Sequence, residues 1–170
     1  MMRENRARRS AGKSGFSLIE LLVVVAIILV IAAIAIPNLM KGKMKAYEAS
    51  AVASLHVIAT SEVTYQSTYG RGFAPDLLAL GPPPAGTPPS ASAADLIDSV
   101  LANKIKSGYS FVYVGIDSDG DGQMDGYTVN ANPITPGQTG DKYFYVDQTA
   151  VVRYSLSGPA NASSDPVPTK

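Results

Sequence analysis

The densest chemistry in the chain is a run of four aspartates within nine residues. Asp117, Asp119, Asp121 and Asp125 lie in the stretch DSDGDGQMDGY, 117 to 127. Oxygen ligands at positions one, three and five, with Gly122 at position six, match the first half of an EF-hand-type calcium loop. The glycines allow the tight turn that brings carboxylates together. The match ends at position twelve, where Thr128 stands in place of a bidentate Glu, and the flanking segments read as strands rather than helices. A calcium site here would be a lone loop, completed by Asp125 or by a backbone carbonyl. Asp and Gly are also turn formers, so an acidic hairpin turn is the competing reading.

The second residue of chemical interest is Glu20, which sits inside a long apolar run. Phe16 to Ile36 spans 21 residues, close to the ~20 that cross a bilayer core as a helix. A lone strand cannot cross lipid, so the run must be helical despite its Val and Ile content. Residues 1–15 carry five basic side chains against Glu4, whereas the remaining residues hold nine basic and thirteen acidic ones. A basic head before an apolar run points to a membrane, with the N-terminus on the cytoplasmic side. Lys41, Lys43 and Lys45 beyond the run weaken that bias. The acidic remainder argues against nucleic acid as a primary partner.

Run length and charge fit a membrane anchor and a cleavable secretory signal equally, since "AIA" at 33–35 resembles a small-residue cleavage site. The Arg8-Arg9 pair fits a twin-arginine signal poorly, because Ala11 and Gly12 follow it. Glu20 favours the anchor. A carboxylate near the centre of a membrane helix costs ~2.5–3.5 kcal/mol, and a signal peptide has no use for one. If the chain is cut between Gly15 and Phe16, the new amine of Phe16 lies four residues before Glu20, about one helical turn away. A neighbouring copy could offer its own amine to the carboxylate. Glu20 then sets register, the best-attested role of a buried charge.

The stretch KSGFSLIELLVVVAIILVIAAIAIPNL resembles the N-terminal signature of type IV pilins and of the pseudopilins of type II secretion systems. The resemblance covers about residues 9 to 40. It implies cleavage after Gly15 by a prepilin peptidase, methylation of the Phe16 amine, and Glu20 as the assembly carboxylate. It also implies assembly with identical or related subunits at an inner-membrane platform, driven by a separate cytoplasmic ATPase. The chain itself has no phosphate-binding loop. Pro37 falls where packed filament helices of the family can lose regular structure; a bend or end of the membrane helix is the alternative. Some family members use calcium to order a loop of the head, but the present aspartates rest on spacing alone.

These residues need elements to position them. The expected fold is α+β: a long N-terminal helix whose second half packs on a small antiparallel sheet. The expected segments are a removed leader (1–15), a transmembrane and assembly helix (16–37), its amphipathic continuation (38–70), a globular head (71–157) and a flexible tail (158–170). In the continuation Val52, Leu55, Ala59 and Val63, with Ile58, form an apolar stripe that would dock on the head. The Pro-rich stretch 81–90 reads as an exposed loop. Ser92 is expected to cap a short helix carrying Leu96, Ile97, Val100, Leu101 and Ile105, stopped by Gly108. Strands are expected at 109–116, 126–131, 143–146 and 150–156, with residues 147–149 as a hairpin connection. Asn161-Ala162-Ser163 has the spacing of an N-glycosylation acceptor, a short motif that also arises by chance.

An enzyme is the poorest reading. The chain has one histidine, His56, and no cysteine, and no nucleophile is paired with a base. Three structural or binding readings stay open: a pilus-like filament subunit, a secretion pseudopilin, and a membrane-anchored calcium-binding module that never polymerises. The first two place the chain in the bacterial inner membrane and then in a periplasmic or surface filament.

Overall fold

The computed structural model describes residues 15–168. The basic side chains of the expected leader lie outside the described residues. Helix α1 (Leu18–Tyr69) runs for 52 residues and contains Pro37. Proline offers no N–H, so the Ala33 carbonyl loses its partner there, yet the helix does not end. The chain divides into two compact units between Leu39 and Met40. In the first unit, counted with Met40, seventeen large apolar side chains from Phe16 onward are exposed. At ~1.5–3 kcal/mol for each such side chain buried, a surface of this kind is not one that water tolerates. The helix is long and apolar enough to cross a membrane.

The second unit is a head built on one antiparallel sheet. Its strands are β1 (Ile105–Lys106), β2 (Tyr109–Ile116), β3 (Gly126–Pro133), β4 (Tyr143–Asp147), β5 (Arg153–Ser155) and β6 (Asp165–Pro166). They are paired in chain order. Strand β2 shows why period two matters: Tyr109 and Phe111 point into the core, while Val112, Val114 and Ile116 are exposed. Tyr127, Val129 and Ala131 of β3 and Phe144 and Val146 of β4 extend the same inner face. Against it pack Ala51, Leu55, Ile58, Ala59 and Tyr65 of α1. The α+β arrangement of a long helix on an antiparallel sheet is therefore present.

Several local readings need correction. The docking stripe is rotated from the one expected: Val63 is 61% exposed, and Glu62 takes the buried position beside it. The helix expected from Ser92 is a single turn, α3 (Ser99–Ala102), capped by Asp98, whose carboxylate accepts the Leu101 N–H at 2.9 Å. Positive φ angles at Lys104 and Ser107 then turn the chain back, so Ile105 and Lys106 become strand β1. A second one-turn helix, α2 (Leu77–Leu80), capped by Asp76, had no expectation.

The segment after Gly158, expected to be loose, is tied to the sheet over the described residues. The Ala160 carbonyl accepts from Asn130 Nδ2 at 2.6 Å. Arg153 Nη1 donates to the Ser164 carbonyl at 3.0 Å, and the Val167 N–H to that of Val152 at 2.8 Å. Asn130 alternates with the inward Val129 and Ala131, so Ala160 covers the outer face of β3.

Candidate functional site

Two groups of residues are candidates, one at the start of α1 and one in the loop between β2 and β3. At the helix start, Gly15, Phe16 and Ser17 precede the first helical residue, and Phe16 is exposed. The Glu20 carboxylate accepts the Ser17 N–H at 3.0 Å. With Ser17 at the N-cap, Glu20 is at the third helical position, so the pair makes one half of a capping box. A carboxylate is also favoured there by the positive end of the helix. Sequence reasoning missed this local role, although the spacing Ser17-Leu18-Ile19-Glu20 was its signal. Pro37 lies within α1, in the same exposed apolar unit.

The acidic loop brings three of its four aspartates together. One carboxylate oxygen each from Asp117, Asp119 and Asp125 lies within 4.8 Å of the others, and all three residues are exposed. Asp121 is turned away, with Oδ1 accepting the Gln123 N–H at 2.7 Å and Oδ2 accepting Gln123 Nε2 at 3.0 Å. Asp117 accepts the N–H groups of Gly120 at 2.7 Å and Gly122 at 3.0 Å. These two amides hold its carboxyl below the usual carboxylate range. Asp125 accepts the Ser118 N–H at 2.8 Å, closing the loop. Gly120 and Gly122 both have positive φ, a conformation open to glycine without strain. Three hard oxygen donors suit a divalent cation such as calcium. Loop carboxylates saturating loop amides are equally what a tight acidic turn needs.

The loop is tethered to the end of α1. The Phe73 N–H donates to the Met124 carbonyl at 2.9 Å. A Cβ added at Gly72 would lie 2.3 Å from that same carbonyl oxygen. Below this contact is a fully buried carboxyl, Glu62, which no sequence argument singled out. Its Oε2 accepts the Ala74 N–H at 2.9 Å, and its Oε1 lies 2.7 Å from the Tyr113 hydroxyl. Burial raises Glu62 to about 7, against the opposing pull of those two hydrogen bonds. A buried carboxyl in a globular head is easily passed over, because spacing rules reward apolar neighbours such as Val63. His56 is exposed.

With this geometry in view, comparison with known proteins narrows the class. Residues 10–36 match the prokaryotic N-terminal methylation motif. The match runs through Gly15, Phe16 and Glu20 and ends just before Pro37. Over this segment the chain is similar to proteins that carry the methylation motif. A stretch of 70 residues is 40% identical to the type IV major pilin protein PilA of Myxococcus xanthus strain DK1622, covering 36% of this chain and 32% of that protein. The chain thus matches about a third of the length of that curated pilin. No solved structure matches it significantly. The long helix on an antiparallel sheet is a pilin-like arrangement, and the methylation motif, residues 10–36, falls within the first of the two units.

Proposed function

We propose that this chain is a structural subunit of a type IV pilus-like filament, held in the inner membrane as a precursor through the first half of α1. A prepilin peptidase cuts after Gly15, and the freed Phe16 amine is methylated. Subunits then leave the bilayer at an inner-membrane platform and stack through α1, with contacts that run head to tail and grow an open fibre. The observation that carries this reading is the coincidence of the methylation motif at 10–36 with the start of a helix whose apolar side chains are exposed. In the bilayer those side chains face lipid; in the fibre they face one another.

Glu20 has two roles in sequence on this reading. In the uncut chain its carboxylate caps the helix through Ser17. After cleavage it meets the Phe16 amine of an adjoining subunit. The test is N-terminal mass analysis of the mature protein together with filament yield of Glu20→Gln. A start at N-methyl-Phe16 and a large loss of filament are expected. A mature N-terminus at Met1 or near Ile36, or undiminished filament from the variant, overturns the reading.

A pseudopilin of a type II secretion system shares the same N-terminal chemistry and is the second reading. Deletion of the gene separates them: loss of surface fibres with intact secretion supports the pilus, and the reverse supports the pseudopilus. We further propose that Asp117, Asp119 and Asp125 hold calcium, with the convergence of their oxygens within 4.8 Å as support.

A further inference from the structure

Asn161-Ala162-Ser163 is the only Asn-x-Ser/Thr triplet in the chain with a non-proline middle residue, and nothing in the filament reading uses it. All three residues are exposed. They sit at the crest of a turn closed by the Ser164 N–H to the Asn161 carbonyl at 3.0 Å. The turn is braced on both sides. Before it, Ala160 is buried and bonded to Asn130; after it, the Ser164 carbonyl accepts from Arg153. Within it, the Asn161 N–H donates to Ser164 Oγ at 3.0 Å.

The Asn161 side chain is held by its oxygen. Oδ1 accepts the Ser163 N–H at 2.9 Å and the Ser163 hydroxyl at 2.7 Å. Its Nδ2 has no protein partner among the described residues, so the nitrogen is the free end of the amide. The hydroxyl two residues on is the feature that defines such acceptors, and here it already engages the carboxamide. Beside the turn, Tyr154, Ser155, Leu156, Ser163, Ser164 and Asp165 line an open hollow of about 290 Å³. Its hydroxyls and carboxylate offer hydrogen-bond partners of the kind a sugar ring takes up.

We propose that Asn161 is an acceptor site for an N-linked glycan. The donor is a glycan carried on a polyprenyl diphosphate, and an oligosaccharyltransferase performs the transfer. Asn161 Nδ2 forms a bond to the anomeric carbon, and the bond from that carbon to the phosphate oxygen breaks. The diphosphate leaves with the electron pair, Nδ2 gives up one proton to a base of the transferase, and nothing is oxidised or reduced. The proposal rests on the filament reading in one respect: the head must reach the compartment outside the cytoplasmic membrane.

The test co-expresses the full chain with an oligosaccharyltransferase that accepts a bare Asn-x-Ser triplet, together with its lipid-linked donor. The chain carries a C-terminal extension with a second triplet as a control. Mass spectrometry follows the tryptic peptide from Tyr154 to Lys170. Glycan on that peptide, lost in Asn161→Gln and in Ser163→Ala, is the expected result. A modified control with a bare Asn161 overturns the site while leaving the topology standing. If neither triplet is modified, the head has not reached the enzyme, and the proposal falls with the topology.

Discussion

The Tyr113 hydroxyl lies 2.7 Å from Glu62 Oε1 and 2.6 Å from the Ala74 carbonyl oxygen, and it has one proton to give. If Glu62 is ionised, both neighbours are acceptors and one goes unpaired. If Glu62 is protonated, the cluster closes: Oε1–H donates to Tyr113, Tyr113 donates to the Ala74 carbonyl, and the Ala74 N–H donates to Oε2. Geometry and burial therefore agree that the folded head keeps Glu62 neutral up to about pH 7. The same desolvation pushes Tyr113 up.

The sign of the pH effect follows. In the unfolded chain Glu62 ionises near its ordinary 4.5; in the head it does so near 7. The folded state binds more protons between those values, so stability contributed by Glu62 is complete below about pH 4.5 and falls until about pH 7. The difference is of order 3 kcal/mol. Asp98, held low by Lys106, and Asp147, held low by Thr149 and Tyr145 against its own desolvation, act with the opposite sign. The comparison must therefore be with Glu62→Gln, whose amide can donate to Tyr113 and accept from Ala74 at every pH. The variant should match the parent in melting temperature near pH 4.5 and exceed it at pH 8. Parallel pH curves for the two proteins would contradict the neutral-Glu62 account.

Tyr113→Phe removes the hydroxyl and leaves the Ala74 carbonyl and Glu62 Oε1 without their shared partner. Stranding buried polar groups costs ~1–3 kcal/mol. Denaturant unfolding of the full chain in detergent should show a loss of that size at pH 5. At pH 8 the loss should be larger, because the stranded group is then a charge.

Gly72→Ala tests the tether between the end of α1 and the acidic loop. The position has φ +75, and the added Cβ would meet the Met124 carbonyl oxygen at 2.3 Å. Neither backbone can yield without moving the other, so strain and overpacking together should cost about 3 kcal/mol. Gly86→Ala is a useful contrast: φ is +84 there but nothing lies within 4 Å of the Cβ. It should cost only the conformational part, about 1–2 kcal/mol. Thermal unfolding of the two variants side by side separates the terms.

Which of these features could be read from residue types alone depends on how far apart their partners lie. The apolar run carries its meaning within a few residues, and so did the alternation in 109–116. Glu62 meets partners twelve and fifty-one residues away, which no local spacing announces. An amphipathic pattern therefore took Val63 for the inward residue. The helix expected from Ser92 failed for a related reason: Ser90 and Ser92 bond each other, and Asp98, bonded to Lys106, provides the actual cap. Likewise the composition of 158–170 suggests looseness, but a bond from Asn130 thirty residues earlier ties down Ala160. The aspartate spacing offered Asp117, Asp119 and Asp121, completed by Asp125 or a carbonyl; Asp117, Asp119 and Asp125 converge, while Asp121 accepts the backbone N–H and the side-chain amide of Gln123 instead.

Calcium should stabilise the head if Asp117, Asp119 and Asp125 hold it. A ligand that binds only the folded state adds about 2.7 kcal/mol at a free concentration of 100 Kd. A titration of the full chain with calcium, followed by melting temperature, should therefore rise steadily, and a chelator should reverse it. Asp119→Asn should blunt the rise most cleanly among the three. Its one bond within the loop is the long 3.2 Å contact from the Asp121 N–H, and an amide oxygen can still accept it, so the turn survives while a ligand charge is lost. Asp117→Asn is less informative, since that carboxylate also holds the amides of Gly120 and Gly122 and the loop itself would loosen. Asp121→Asn serves as the control, because its carboxylate is committed to Gln123. An equal loss of the calcium response in Asp119→Asn and Asp121→Asn would speak against the three-aspartate site, and a melting temperature indifferent to calcium would reduce the loop to an acidic turn.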